Sequence, residues 1–278
     1  SGHTGQSRLR VMAYRAAPVQ VSWLGYFDTT GMSSVQYVVA DAVCVTPQME
    51  RYFTEKVVRL PDDFACFDPM IEAPPLTELP ALKNGYITFG SQNQLAKITD
   101  EVVQLWARVL NQVPRSRLMF QALAFNDPDA LHRYRRKFEQ LGIDLGRIDF
   151  LPGMARAQVL GNYGAVDIAL DPFPCAGGTT TCEALWMGVP VVTCPQSQVV
   201  SRQTHALLHQ IGLPELSATD ADDYVRIATQ LASIQFVDNE LARLQAQAAA
   251  LQTARMAYSK ALQEALPVLG GSDTVKRS

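Results

Sequence analysis

The sequence predicts an α/β chain built on a Rossmann-like, doubly wound parallel sheet, with part of a second lobe ahead of it. Three observations lead there. After residue 84, short apolar runs alternate with amphipathic helical stretches, the pattern of parallel strands joined by crossover helices. Pro69, Pro74, Pro75 and Pro80 crowd one stretch that has few periodic apolar residues, which marks a boundary. Of the 278 residues 47% are hydrophobic and 18% charged, enough apolar material for a sizeable α/β core.

The elements follow in order. Val19–Leu24 reads as an apolar strand running into the turn GYFDTTG at Gly25–Gly31. Tyr37–Val45 reads as a second strand around Asp41, Pro47–Phe53 as a short helix, and Lys56–Leu60 as a third strand. Beyond the prolines, Tyr86–Gly90 is a strand, and Asp100 caps a helix to Val113 with Val103, Leu105, Trp106 and Leu110 on its apolar side. Strands at Arg117–Gln121, Ile148–Leu151, Asp167–Leu170 and Pro190–Cys194 alternate with helices at Asp127–Leu141, Ala155–Tyr163 and from Thr179. Gln198–Ile211 and Ala221–Ile234 are further helices, and Asn239–Leu266 is a long helical tail. This divides the chain into 1–72, the back of a first lobe; 73–83, a Pro-rich linker; 84–235, the ligand-binding lobe; and 236–278, the tail.

Composition excludes several classes. A net charge of −3 argues against a nucleic-acid groove. No apolar run approaches the ~20 residues that span a bilayer, and no secretory segment opens the chain, so no membrane partner is expected. Five cysteines, odd in number and without a CxxC pair, suit reduced thiols in a cytoplasmic protein and make zinc unlikely. His205 and His209 lie four apart on one helix without an evident third ligand, so no metal is expected. The chain opens at Ser1 without methionine and is expected to be a fragment of something longer.

The most informative stretch is DPFPCAGGTTTCEALWMGVPVV, Asp171–Val192. Asp171 closes a buried strand and caps the loop after it. Gly177 and Gly178 carry no Cβ and let the backbone approach a ligand. Thr179, Thr180 and Thr181 bring hydroxyls to a helix N-terminus, where free N–H groups and the dipole favour phosphate. Glu183, one turn on, is placed to accept from a ribose. In a doubly wound sheet, ligands bind beyond the carboxyl ends of the strands. Three loops should therefore converge: Gly90–Lys97 with Asn93, Gln94 and Lys97; Pro152–Arg156; and Pro172–Thr181. Cations from separate loops aimed at one helix N-terminus are what a departing diphosphate requires. An ordinary capped αβ junction is the plainer alternative. A generic NAD-binding domain is weakened because no GxGxxG follows the first strand.

The segments APVQVSWLGY (Ala17–Tyr26), NQLAK (Asn93–Lys97) and GGTTTCEALWMGVPVV (Gly177–Val192) resemble the catalytic region of O-GlcNAc transferases, in particular their bacterial relatives. The resemblance spans residues 3–235. It implies a GT-B type fold of two Rossmann-like lobes, and an inverting, metal-independent transfer of N-acetylglucosamine or another sugar from its UDP derivative to Ser or Thr of an acceptor protein. No cofactor is implied, and tetratricopeptide repeats would lie upstream. Position by position, Gln94 and Lys97 match residues that hold the diphosphate, with the lysine stabilising departing UDP. Arg156 stands where the family commonly has a nucleotide-contacting lysine, and Met154 where backbone meets the uracil. Gly177 and Gly178 form the close bend, Thr179 and Thr180 match the phosphate donors, and Glu183 the ribose acceptor. Gly25 and Tyr26 belong to a first-lobe turn facing the sugar. Phe27 and Asp28 replace a more usual Pro-Gly, Val159 a polar ring-bearing position, and Gly178 a histidine of animal members. The first strands of that lobe, with a histidine that positions substrate, would precede Ser1. Two other readings stay open: a protein N-glucosyltransferase acting on Asn, and a nucleotide-binding fragment without turnover.

Overall fold

The computed structural model describes residues 8–26, 28–68 and 73–233. The expected tail over Asn239–Leu266 lies outside them. Two parallel sheets organise the chain. The first joins β1 (Val21–Ser22), β2 (Tyr37–Ala40) and β3 (Lys56–Arg59) in the order β1-β2-β3. Both β1 and β2 are shorter than expected, for local reasons. Leu24 adopts a left-handed backbone (φ 62°), and the Gly25 N–H donates to the Trp23 carbonyl at 2.7 Å, so the chain turns instead of running on. After Ala40, the Asp41 carboxylate accepts from the N–H groups of Val43 and Cys44 at 2.8 and 2.6 Å, which curls the backbone out of the sheet.

Within the proline-rich stretch a short helix α1 (Pro80–Asn84) forms, because Pro80 takes its first turn, where no N–H is needed. Gly85 ends it in the left-handed conformation (φ 70°). The second sheet contains β4 (Thr88–Ser91), β5 (Arg117–Gln121), β6 (Ile148–Leu151), β7 (Ile168–Leu170) and β8 (Val191–Val192), all parallel, in the order β6-β5-β4-β7-β8. Its crossovers are α2 (Asp100–Gln112), α3 (Pro128–Gln140), α4 (Arg156–Asn162) and α5 (Thr179–Trp186), followed by α6 (Gln203–Gln210) and α7 (Ala221–Leu231). Thr99 rather than Asp100 caps α2, accepting from the Val102 N–H at 3.3 Å, while Asp100 sits in the first turn. The stretch expected as one helix from Gln198 divides into a 3-10 turn, Val199–Ser201, and then α6.

The core lies on both faces of this second sheet. Trp106 is fully buried and meets Phe120 edge-on at 5.4 Å; Phe120 in turn meets Phe125 at 4.9 Å and Tyr134 at 5.6 Å. A smaller seam joins the two sheets: Ala40, Cys44, Val45 and Phe64 pack with Val199 and Ala206. There the Arg202 guanidinium donates through Nε and NH2 to the Val43 carbonyl at 3.0 and 2.9 Å. Among the described residues, no helix is long and apolar enough to cross a membrane.

Candidate functional site

Strand order reverses between β4 and β7, so their loops diverge to opposite faces and leave a crevice at the carboxyl edge. The loop after β4 enters it first. Asn93 is buried, and its Oδ1 accepts from the Thr180 hydroxyl at 3.1 Å. A 3-10 turn, Leu95–Lys97, follows, fixed from below by the Tyr134 hydroxyl at 3.1 Å from the Leu95 carbonyl and 2.9 Å from that of Ile98. The turn aims Lys97 across the crevice, where Nζ donates to the Ala176 carbonyl at 2.6 Å.

The loop after β7 is shaped by Asp171. Its carboxylate accepts from the Gly177 N–H at 2.7 Å through Oδ1 and from the Thr193 hydroxyl at 2.8 Å through Oδ2. Its backbone carbonyl accepts from the Tyr224 hydroxyl at 3.0 Å. Burial drives its pKa from 3.8 up to about 6, against the pull of hydrogen bonds from Thr204, Thr193 and Gly177 and of the Lys97 charge. The bend has no room for a side chain: a Cβ on Gly177 would stand 2.4 Å from the Thr181 hydroxyl and 2.8 Å from Asp171 Oδ1 and from the Thr180 hydroxyl. Thr204 closes the bend from α6, donating to the Gly177 carbonyl at 3.2 Å. Gly178 then starts α5 without a side-chain cap, which leaves the first N–H groups of that helix for another acceptor. Thr179 is exposed there.

The loop after β6 leads into α4, whose first residue, Arg156, has its NH2 2.5 Å from Glu183 Oε1. The glutamate side chain is only 5% exposed and the arginine 46%, so the pair straddles the wall of the crevice. Burial raises the Glu183 pKa and the arginine partly offsets this. Met154 belongs to the same loop but sits outward, its sulfur accepting from Asn162 Nδ2 at 3.7 Å. Gln121 steadies this loop, donating to the Pro152 carbonyl at 3.1 Å and accepting from Asn162 at the same distance.

The first sheet meets this crevice in a cavity of about 270 Å³. Leu24 and the segment Phe64–Phe67 line one wall; Gly178, Thr179, Cys182, Gln203 and Leu207 line the other. Gly25 and Tyr26 follow Leu24 directly. The rest of their turn is pinned by Glu55, which accepts from the Thr29 hydroxyl at 2.7 Å and the Thr30 N–H at 2.8 Å.

The structure therefore brings Lys97 to Ala176 and the Gly177–Gly178 bend, Asn93 to Thr180, and Arg156 to Glu183. Gln94 is exposed and makes no side-chain hydrogen bond to another described residue; the Met154 side chain lies beside Asn162. Sequence reasoning missed Tyr134, Glu55, Thr193 and Thr204, which shape the site from elsewhere in the chain. Among the described residues, no three His, Cys, Asp or Glu side chains gather as a metal-binding set. His205 bonds Ser217 at 2.9 Å, and burial lowers its pKa to about 4.

The description of glycosyl transferase family 41 matches residues 1–79 and 76–260. A probable UDP-N-acetylglucosamine–peptide N-acetylglucosaminyltransferase, SPINDLY of Petunia hybrida, is 44% identical over 234 residues, covering 84% of this chain and 25% of its own length. The chain thus spans about a quarter of the curated relatives it matches. Among solved structures, an O-GlcNAc transferase mutant of Thermobaculum terrenum superposes with a TM-score of 0.83 at 36% identity, over 93% of this chain and 49% of that one. A sucrose-phosphate synthase of Thermosynechococcus elongatus shares the fold alone, with a TM-score of 0.53 at 14% identity over 81% of this chain and 59% of that one.

Proposed function

Because the chain belongs to glycosyl transferase family 41, with a fold of the GT-B type, we propose that it transfers a sugar from a UDP-sugar to Ser or Thr hydroxyls of an acceptor protein. N-acetylglucosamine is the sugar favoured, since the names of the relatives at 44% identity carry it. The observation that supports the reading best is the Lys97–Ala176 contact at 2.6 Å, which sets a cation against the bend that opens α5.

In this mechanism the diphosphate sits at the Gly177–Gly178 bend and accepts from the first N–H groups of α5 and from Thr179. Glu183 accepts from the ribose through the oxygen that Arg156 leaves open. The acceptor hydroxyl attacks the anomeric carbon from the face opposite UDP, inverting it and giving up its proton as UDP departs. As the bond to the β-phosphate oxygen breaks, Lys97, Arg156 and the helix N-terminus take up the growing negative charge, with no metal required. The wider reading places acceptor-presenting tetratricopeptide repeats upstream and the protein in the cytoplasm, where the free cysteines would stay reduced.

Titration with UDP in a calorimeter, followed by incubation with UDP-N-acetylglucosamine and mass spectrometry of acceptor peptides, tests this. Sugar on Ser or Thr is expected. Sugar on Asn would make the chain an N-glycosyltransferase, and UDP binding without transfer would make it a nucleotide-binding unit.

A further inference from the structure

Cations are concentrated on one element. Between His132 and Lys137, every residue but Tyr134 is His, Arg or Lys, in a chain whose net charge is −3. α3 buries Tyr134 and Phe138, which sends His132, Arg133 and Arg136 to the opposite, exposed face, with Arg135 exposed beside them. Lys137 is already engaged, 2.6 Å from Asp100 and stacked at 4.6 Å on the Tyr134 ring. Arg133, Arg135 and Arg136 form no ion pair among the described residues. Arg133, Arg136 and Lys137, with His132 beside them, line a shallow depression of about 330 Å³, with Asp129 its one carboxylate and Gln140 at its far end.

The inner side of the same helix is tied to the donor site. Tyr134 bonds the Leu95 and Ile98 carbonyls that flank Lys97. The cationic face is thus held in fixed relation to the turn that carries the leaving-group cation.

We propose that the outer face of α3 docks an acidic segment of the acceptor protein, a reading that rests on the transfer to protein argued above. Unpaired guanidinium forks match carboxylates in pairs of parallel hydrogen bonds. None of the exposed large apolar side chains belongs to α3. Apart from the His132 imidazole, the face therefore offers no ring to stack a nucleobase, and it has no apolar wedge to enter a bilayer.

Fluorescence anisotropy with a labelled oligoglutamate peptide tests this on the whole 278-residue chain. Binding is expected to weaken as salt rises. It should fall about tenfold in R133E/R136E and less in R133Q/R136Q, with UDP affinity unchanged in both. In transfer assays the KM for an acidic acceptor peptide should rise while kcat holds, and a neutral peptide should be unaffected. Equal oligoglutamate affinity in wild type and R133E/R136E overturns the proposal, as does tighter binding of single-stranded RNA or phosphatidylserine vesicles than of oligoglutamate. Oligoglutamate binding that follows the charge changes in a chain that transfers no sugar would sink the transferase reading and leave the docking face standing.

Discussion

The Lys97 ammonium and the Ala176 carbonyl meet at 2.6 Å although 79 residues separate them in sequence. The contact bridges the two loops that diverge at the strand-order reversal, and it puts a cation beside the open N-terminus of α5. Replacing Lys97 by Ala is expected to lower kcat by about 10²–10³-fold while UDP affinity changes far less, because the charge matters most as the leaving group departs. Transfer at the wild-type rate would remove Lys97 from the mechanism.

Gly177→Ala should damage the bend itself. The new methyl would press on the hydroxyls of Thr181 and Thr180 and on Asp171 Oδ1. Moving three hydrogen-bonded groups costs about 1–3 kcal/mol. A lowered unfolding midpoint in urea and weakened UDP binding are expected together; an unaltered calorimetric profile would mean the bend tolerates a side chain.

Arg156 and Glu183 should show coupled energetics. Removing the arginine leaves a nearly buried carboxylate without its cation, whereas removing both charges does not. A double-mutant cycle of Arg156→Ala and Glu183→Gln, read by urea unfolding, is expected to give a coupling of about 1 kcal/mol, modest because the arginine is half exposed. Strict additivity would show the contact to be energetically empty.

Asp171 should make UDP binding depend on pH. Its ionised form holds the Gly177 N–H and the Thr193 hydroxyl, and its pKa is raised from 3.8 to about 6 by burial. Because the folded state binds this proton more tightly than the unfolded chain, the contribution of Asp171 to stability declines as pH climbs from 3.8 to about 6 and is level above. UDP affinity runs the other way and should weaken as pH drops through about 6, where protonation costs the carboxyl an acceptor. Asp171→Asn is expected to bind weakly at every pH; a wild-type affinity that stays constant from acid to neutral would count against the linkage.

Much of the second sheet was legible because its strands carry short apolar runs, such as Leu118–Phe120 in β5 and Ile168–Leu170 in β7, and its helices have one greasy side, as in α2 with Val103, Leu105, Trp106 and Leu110. The misjudged boundaries depended on single residues whose effect is conformational. Leu24 adopts a backbone that periodicity does not report, and Pro80 starts a helix where a proline ordinarily suggests a break. In the site, the meeting of the Lys97 loop with the Gly177 bend follows from the rule on strand order. The partners that shape it do not. Tyr134, Thr204 and Glu55 stand in no local pattern that marks them, because only the fold brings them to the turns they fix.

The seam at Val43 is where the two sheets are tied together. A jaw needs a fulcrum, and the bidentate grip of Arg202 on that carbonyl, ringed by side chains from both halves, supplies one. Thr204 lies two residues beyond Arg202, and its hydroxyl donates to the Gly177 carbonyl, at the bend where the proposed mechanism seats the diphosphate. A displacement of Arg202 would therefore reach, within a single helical turn, the backbone proposed to cradle the nucleotide.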